Sequence, residues 1–183
     1  TQDRLAGYQR ALEEAGIDYD PALVVIGGSK TEAAYQVTAH VLRSTPRPTC
    51  IYAFNNLMTE GVLLALKDLG VACPEEISLV GFDDFRSARA ITPPLTVVAQ
   101  PTHEIGRVAT ELLLRRLEGE DVDDVVLPTR LVIRGSCVPP RGAVSGHARP
   151  DGARGPMTSD ETLDVVTIQQ GGRHDTVRVT PVP

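Results

Sequence analysis

The sequence predicts an α/β protein in which helices flank a parallel sheet. Segments with apolar residues at three- and four-residue spacing alternate along the chain with short, β-prone apolar runs. This alternation is typical of right-handed βαβ units and therefore of a parallel sheet. Two of the predicted strands end directly in polar residues, Asn55 and Asp83. Because parallel strands share their carboxyl edge, we expect both side chains at one crevice.

The helices and strands follow one another in a regular order. Predicted helices span residues 4–15, 31–43, 56–69 and 104–117, and predicted strands span 22–26, 50–54, 77–82 and 95–100, with two extended pieces in 125–134. Gly16, Gly70 and Gly119 stand where left-handed C-terminal caps are expected. Residues 141–160, rich in Gly, Pro, Ala and Arg, are predicted to form a disordered linker. In the tail, 161–183, the β-prone runs around Gly171 and Gly172 predict a hairpin, to which no function is assigned.

The turn after the first strand reads Gly27-Gly28-Ser29-Lys30-Thr31. Ser29 followed three residues later by Glu32 predicts a capping box at the start of the second helix. A phosphate-binding loop requires a glycine directly before the lysine, and Ser29 occupies that position. The turn is therefore interpreted as a glycine turn and a helix cap.

Composition limits the function. The 183 residues carry a net charge of −6, which argues against a nucleic-acid surface within the chain. No window is apolar and long enough to span a membrane, and the first residues do not resemble a signal peptide, so a cytoplasmic protein without membrane contact is expected. Three widely spaced cysteines, without CxxC spacing, predict reduced thiols and neither a metal site nor a cofactor. Since the chain does not begin with Met, we expect it to be a piece of a longer protein.

Catalysis is the weaker interpretation of the polar residues. Asp83 and Asp84 are adjacent, so on a strand they point to opposite faces and do not form a carboxylate pair. The sequence has no Gly-x-Ser-x-Gly elbow and no Cys–His arrangement. A small hydrolase on a doubly wound fold remains an alternative, but we expect a binding protein and not an enzyme.

A binding site for a polyol or sugar fits the strand ends better. Arg4 can donate twice in a planar fork, Asn55 can both donate and accept, and Asp83 can accept from two hydroxyls. Each also has a purely structural interpretation, because Arg4 can lie on a helix surface and the other two can cap the segments that follow them.

Five motifs occur in a fixed order along residues 1–140. They are RLAGY at 4–8, NNLMTEG at 55–61, VGFDD at 80–84, TPPLT at 92–96, and a last motif made of LPT at 127–129, Leu131 and RGS at 134–136. With this order and spacing, the chain resembles the second half of a bacterial transcriptional regulator of the LacI/GalR family. Asn56 departs from the family pattern, which has Asp there. A periplasmic-type sugar-binding protein of a transport system is one alternative interpretation. A nonfunctional gene remnant with an unrelated tail is another.

The resemblance implies an N-terminally truncated, periplasmic-binding-protein-like sensor domain. Residues 1–93 would form the second lobe, 94–119 the crossing to a first lobe, and 120–140 the return strands. Arg4, Asn55 and Asp83 would hold an effector, which is a sugar or related small molecule, and Gln100 would line the cleft. The family also implies a homodimer, with the helix after Asn56 and residues 85–91 near the interface. Operator DNA would be bound only through a helix-turn-helix outside this chain.

Overall fold

A computed structural model describes residues 2–45, 47–139 and the backbone of 165–169. The helices and strands are α1 (Gln2–Ala15), β1 (Val24–Ile26), α2 (Thr31–Val41), β2 (Cys50–Ala53), α3 (Asn56–Asp68), β3 (Ser78–Phe82), β4 (Thr96–Ala99), α4 (Thr102–Leu117), β5 (Arg130–Val132) and β6 (Val165–Gln169). Short 3₁₀ turns cover Pro21–Leu23 and Arg86–Arg89. Each helix lies within two residues of its predicted bounds, whereas the linker predicted at 141–160 lies outside the described residues.

The six strands form one sheet in the order β1-β6-β2-β3-β4-β5. All neighbouring pairs are parallel except β4 and β5, which are antiparallel. The α/β class with a mainly parallel sheet is therefore confirmed. Since β2, β3 and β4 run side by side in the same direction, their carboxyl ends lie at one edge, which positions the candidate site.

The core lies between one face of the sheet and helices α2 and α3. Alternate sheet residues Ile51, Leu79 and Val97 are fully buried there, because successive side chains of a strand point to opposite faces. The two helices pack closely at Gly61 of α3, where an added Cβ would lie 2.4 Å from the Thr31 carbonyl oxygen. Glycine is required at this contact because any side chain would force the helices apart.

The helix α4 differs from α3 in its surroundings. No residue of α4 is buried among the described residues, and its apolar side chains Leu113, Leu114 and Leu117 are exposed. Its ion pairs are local, from Arg107 to Glu104 and Glu111. The helix is therefore held in the described part of the chain mainly by its sequence neighbours.

No helix within the described ranges combines the length and apolar character needed to cross a bilayer.

The capping box predicted at Ser29 is wrong. Lys30 is the N-cap of α2 and makes no side-chain cap hydrogen bond. Ser29 has a φ of 57°, in the left-handed region, whereas an N-cap residue needs an extended backbone. Glu32 instead accepts from Gln36 Nε2 at 2.8 Å. In contrast, Gly70 has a φ of 65° and closes α3 as predicted, with Val71 N donating to Leu66 O at 2.9 Å.

Two features of the sheet bear on the predicted domain organisation. Strand β4, assigned to a first lobe, pairs in parallel with β3 in this sheet, and the lobe boundary at residue 94 stays a prediction. The tail contains the strand β6, whose two edges pair with β1 and β2. The hairpin expected with residues 176–182 involves residues outside the described ranges and stays a prediction.

Candidate effector site

Three of the four predicted site residues lie within two residues of the ends of parallel strands. Asn55 lies two residues beyond the end of β2, Asp83 follows β3, and Gln100 follows β4. The strands are hydrogen-bonded in the order β2-β3-β4, so the three residues line one edge of the sheet. We call these three residues, together with Arg4, the carboxyl-edge cluster.

Asp83 and Gln100 are brought into direct contact. Gln100 Nε2 donates to Asp83 Oδ1, and the Asp83 backbone N–H donates to Val98 O at 2.9 Å. Asp83 has a φ of 75°, a conformation that aspartate tolerates better than most residues. The strand β3 thus turns sharply at Asp83 while its carboxylate is held toward β4.

Arg4 reaches the same edge from the first turn of α1. Its Nη1 donates to the carbonyl oxygen of Phe54, and its guanidinium carbon lies 3.6 Å from the centre of the Phe82 ring. Burial lowers the pKa of Arg4 from its ordinary value, while Tyr52 and Asp83 oppose that change. An arginine guanidinium remains charged despite this lowering of its pKa, so the site holds a fixed, half-buried cation stacked on an aromatic ring.

Asn55 caps α3, as its structural interpretation predicts. Its Oδ1 accepts from the Met58 backbone N–H at 2.8 Å, and its extended backbone is typical of an N-cap. The cap uses only Oδ1, so the N–H groups of Nδ2 are not needed for it. The capping and ligand-binding interpretations of Asn55 are therefore compatible.

Asp84 has a different role from its neighbour. Arg134 Nη2 donates to Asp84 Oδ2 at 2.8 Å, and both side chains are only 14% exposed. Arg134 Nη1 also donates to Leu95 O at 2.9 Å. The hydrogen bond from Arg134 holds the pKa of Asp84 below its ordinary value. Asp84 thus fixes the segment after β3, and the two aspartates do not act as a pair.

A groove of about 410 Å³ lies along the face of the sheet opposite the core, and Arg4 is the residue of the cluster that lines it. One wall is α1, with Arg4, Gly7 and Tyr8, and the floor includes Tyr52 and Phe82. Burial raises the pKa of Tyr52 to about 12, so this tyrosine stays neutral. The groove is mainly apolar and has its charged groups at one end.

Sequence reasoning did not identify the aromatic floor of this groove. Tyr52 and Phe82 lie on β2 and β3, and each has an apolar or thiol neighbour two residues earlier, Cys50 and Val80, that also lines the groove. Residues two apart on a strand point to the same face, so the pairs Cys50/Tyr52 and Val80/Phe82 were the sequence signal for a second functional face of the sheet. Among the described residues, no group of three His, Cys, Asp or Glu side chains is placed to hold a metal ion.

Residues 1–137 match the periplasmic binding protein-like domain family. The chain belongs to this family. The HTH-type transcriptional repressor PurR of Escherichia coli O1:K1 is 34% identical over 135 residues, which are 73% of this chain and 40% of that repressor. The family domain here is thus of the kind found in LacI-family regulators, and its relatives do not favour the transport-protein alternative.

Solved structures place the chain in the same group. The transcriptional regulator CelR, in complex with cellobiose, is 36% identical with a TM-score of 0.67, over 73% of this chain and 41% of that one. A LacI family regulator from Arthrobacter, in complex with lactose, is 33% identical with a TM-score of 0.59, over 70% of this chain and 48% of that one. This LacI-family domain therefore spans less than half the length of these relatives.

Proposed function

We propose that this LacI-family domain senses a sugar or related small molecule as part of a transcriptional regulator and that it is not an enzyme. The observation that carries the proposal is the convergence of Arg4, Asn55, Asp83 and Gln100 at one edge of the sheet. Cellobiose and lactose are bound by similar regulators, which supports a saccharide as the effector. The site would contribute one side of a cleft whose other side belongs to a first lobe.

The four side chains offer a hydroxyl-rich ligand both donors and acceptors. Asp83 supplies a carboxylate whose Oδ1 is already oriented by Gln100, and Asn55 supplies an amide whose oxygen is fixed by the cap. Arg4 is held by a carbonyl oxygen and by the Phe82 ring, so it would lose little side-chain freedom on binding. Preorganised polar groups of this kind suit a ligand that is recognised by directional hydrogen bonds rather than by burial of apolar surface.

Regulation would operate through lobe closure. An effector with higher affinity for one arrangement of the lobes shifts the population toward it, by an amount set by the difference between the two affinities. Operator DNA would be bound by a helix-turn-helix outside this chain, in keeping with its net charge of −6. Localisation in the cytoplasm follows as part of the same proposal.

A homodimer is proposed through the outer face of α3. Leu57 and Leu64 are 44% and 45% exposed on this helix, which otherwise packs against the sheet and α2. Leu64→Glu is expected to shift the chain toward monomer in sedimentation velocity experiments. Leu117→Glu, on the exposed part of α4, is the matched control and should leave the sedimentation unchanged.

The effector proposal is tested by a two-dimensional ¹H–¹⁵N NMR titration of the chain with lactose, cellobiose and ribose. NMR is chosen because half of a cleft binds weakly and because it reports which residues respond. The expected result is that amide shifts concentrate at residues 54–56, 82–84, 99 and 100. Asp83→Asn should abolish them, since asparagine keeps the left-handed backbone but lacks one acceptor and the charge. Asp18→Asn, at an exposed site, is the control.

If none of these sugars perturbs the carboxyl-edge cluster, the saccharide proposal is wrong. If they perturb it equally in the Asp83→Asn variant, Asp83 is not a ligand.

A further inference from the structure

Arg4 is a half-buried cation that forms no ion pair with a carboxylate of the described residues. Its Nη1 donates to the carbonyl oxygen of Phe54, and its guanidinium carbon lies 3.6 Å from the centre of the Phe82 ring. The ion pairs formed among the described residues do not include Arg4. Arginine is seldom buried without an anionic partner, because its charge loses hydration there. The charge of Arg4 is therefore available to a ligand.

Arg134 provides a comparison within the same protein. Its side chain is only 14% exposed, and its Nη2 donates to Asp84 Oδ2 at 2.8 Å while its Nη1 donates to Leu95 O at 2.9 Å. Arg134 thus has both a carboxylate and a carbonyl oxygen as partners, whereas Arg4 has a carbonyl oxygen alone. The difference distinguishes Arg134, which stabilises the fold, from Arg4, whose charge can still act on a ligand.

Asp83 does not fully compensate the charge of Arg4. Burial lowers the pKa of Arg4 by more than Tyr52 and Asp83 together raise it. The carboxylate of Asp83 is engaged by Gln100, whose Nε2 donates to its Oδ1. A further negative charge beside Arg4 would therefore offset the cost of burying the guanidinium.

Arg4 also keeps most of its hydrogen-bond donors. A guanidinium has five N–H groups in one plane, and the bond to Phe54 uses one of them. The Phe82 ring covers a face of the guanidinium and not the edge from which the N–H groups donate. Arg4 lines the groove of about 410 Å³, a volume typical of small-molecule sites. A carboxylate or phosphate group can accept two parallel hydrogen bonds from such a planar edge.

We propose that the effector is an acidic saccharide whose carboxylate or phosphate group pairs with Arg4. This rests on the proposed function of the carboxyl-edge cluster and narrows its ligand class. Asn55, Asp83 and Gln100 would hold hydroxyl groups, and Arg4 would hold the oxyanion. Charge-assisted hydrogen bonds are about twice as strong as neutral ones, so the oxyanion would provide selectivity against neutral sugars.

The ligand class is tested by NMR titration of the full chain with matched ligands. Glucose is compared with glucuronate and with the glucose phosphate ester of the primary hydroxyl, and galactose is compared with its two corresponding acids. At least one acid should bind about 10-fold more tightly than its neutral parent, since a charge-assisted hydrogen bond replaces a neutral one. The uronate and phosphate titrations show which oxyanion the site prefers.

If neutral sugars bind at the cluster and none of the acids binds more tightly, the acidic-effector proposal is wrong and the proposed function stands. If no neutral or acidic saccharide perturbs the cluster, the proposed function fails and the acidic-effector proposal fails with it.

The role of Arg4 is tested by substitution. Arg4→Gln removes the charge and should make an acid and its neutral parent bind with equal affinity. Arg4→Lys keeps the charge without the planar fork and should retain part of the preference. Arg10→Gln is the matched control, because Arg10 lies on the same helix with its side chain 65% exposed, and it should leave the preference unchanged. A preference for the acid that survives Arg4→Gln would overturn the assignment.

A measurement on the unmodified protein decides if Arg4→Gln does not fold. The side-chain Nε–H signal of Arg4 should shift on addition of the acid that binds and, less strongly, of inorganic phosphate, whereas that of Arg10 should not move. Equal shifts of both signals would mean nonspecific ion binding, and an unshifted Arg4 signal would place the oxyanion elsewhere. Either result would overturn the pairing of Arg4 with an acidic effector.

Discussion

The two edges of the sheet use polar side chains in opposite ways. At the amino edge, Ser136 is 1% exposed, and its Oγ donates to Leu79 O at 2.6 Å and accepts from Thr96 N at 2.8 Å. Ser78 Oγ accepts from Val138 N at 3.1 Å in the same region. At the carboxyl edge, Asn55, Asp83 and Gln100 are only half-buried and retain hydrogen-bonding capacity.

The difference shows where the sheet is closed and where it can bind. A buried hydroxyl that joins two strands contributes to stability, because its loss leaves backbone groups unpaired in the interior. A half-buried amide or carboxylate contributes less to stability and can exchange its water for ligand hydroxyls. Substitutions at the amino edge should therefore change the free energy of unfolding, and those in the carboxyl-edge cluster should change mainly ligand binding.

The largest effect is expected from Ser136→Ala. It leaves the Thr96 N–H and one acceptor position on Leu79 O unpaired between β3 and β4, so the free energy of unfolding should fall by about 3 kcal/mol. Urea denaturation followed by circular dichroism measures it. Ser87→Ala, at an exposed position, should change stability by less than about 0.5 kcal/mol. Similar values for the two variants would contradict the assigned role of the amino edge.

Asp84→Asn should cost about 2 kcal/mol, because it removes a charge-assisted hydrogen bond from Arg134. Since the folded-state pKa of Asp84 is lowered, its contribution is present above the unfolded-state pKa of about 4 and is lost as the pH falls through the folded-state value. Urea unfolding at successive pH values should therefore show a shallower acid-side decline for the variant than for the wild type. Parallel curves would mean that Asp84 is not the group responsible.

Asn55→Ala should lower stability by about 1 kcal/mol through loss of the α3 cap. Asn55→Asp keeps the capping oxygen and should restore most of that loss while removing the amide donor. Thermal unfolding should therefore separate the two variants, whereas the NMR titration should show weakened sugar binding in both. Full sugar binding by Asn55→Asp would confine Asn55 to its capping role.

The smallest effect on stability is expected from Asp83→Asn, at less than about 0.5 kcal/mol. Asparagine adopts the left-handed conformation as aspartate does, so the turn after β3 is kept. Asp83→Ala lacks that tolerance and should cost about 1 kcal/mol more. Chemical denaturation of both variants tests this, and a large loss in Asp83→Asn would assign Asp83 a structural role like that of Asp84.

Much of the local structure, and two of the candidate site residues, could be predicted from the sequence. The periodicity of the helices, the apolar strands and the capping glycines such as Gly70 are local features, and the structure reproduces them. Asp83 and Asn55 were identified as candidates because they follow strands. The capping box predicted at Ser29 was wrong because residue type alone does not reveal the backbone conformation there. The left-handed backbone of Ser29 depends on the turn that joins β1 to α2.

The sequence by itself determined the α/β class, the order of the elements and the candidate residues Arg4, Asn55 and Asp83, and the family resemblance added Gln100. Local propensities and the periods of helix and strand carry the information on class and order along the chain. Only the tertiary structure decided that Arg4 stacks on Phe82, that Ser136 joins β3 to β4, and that β6 lies between β1 and β2. Those contacts join residues far apart in the chain, and they depend on packing and strand pairing that no local pattern specifies.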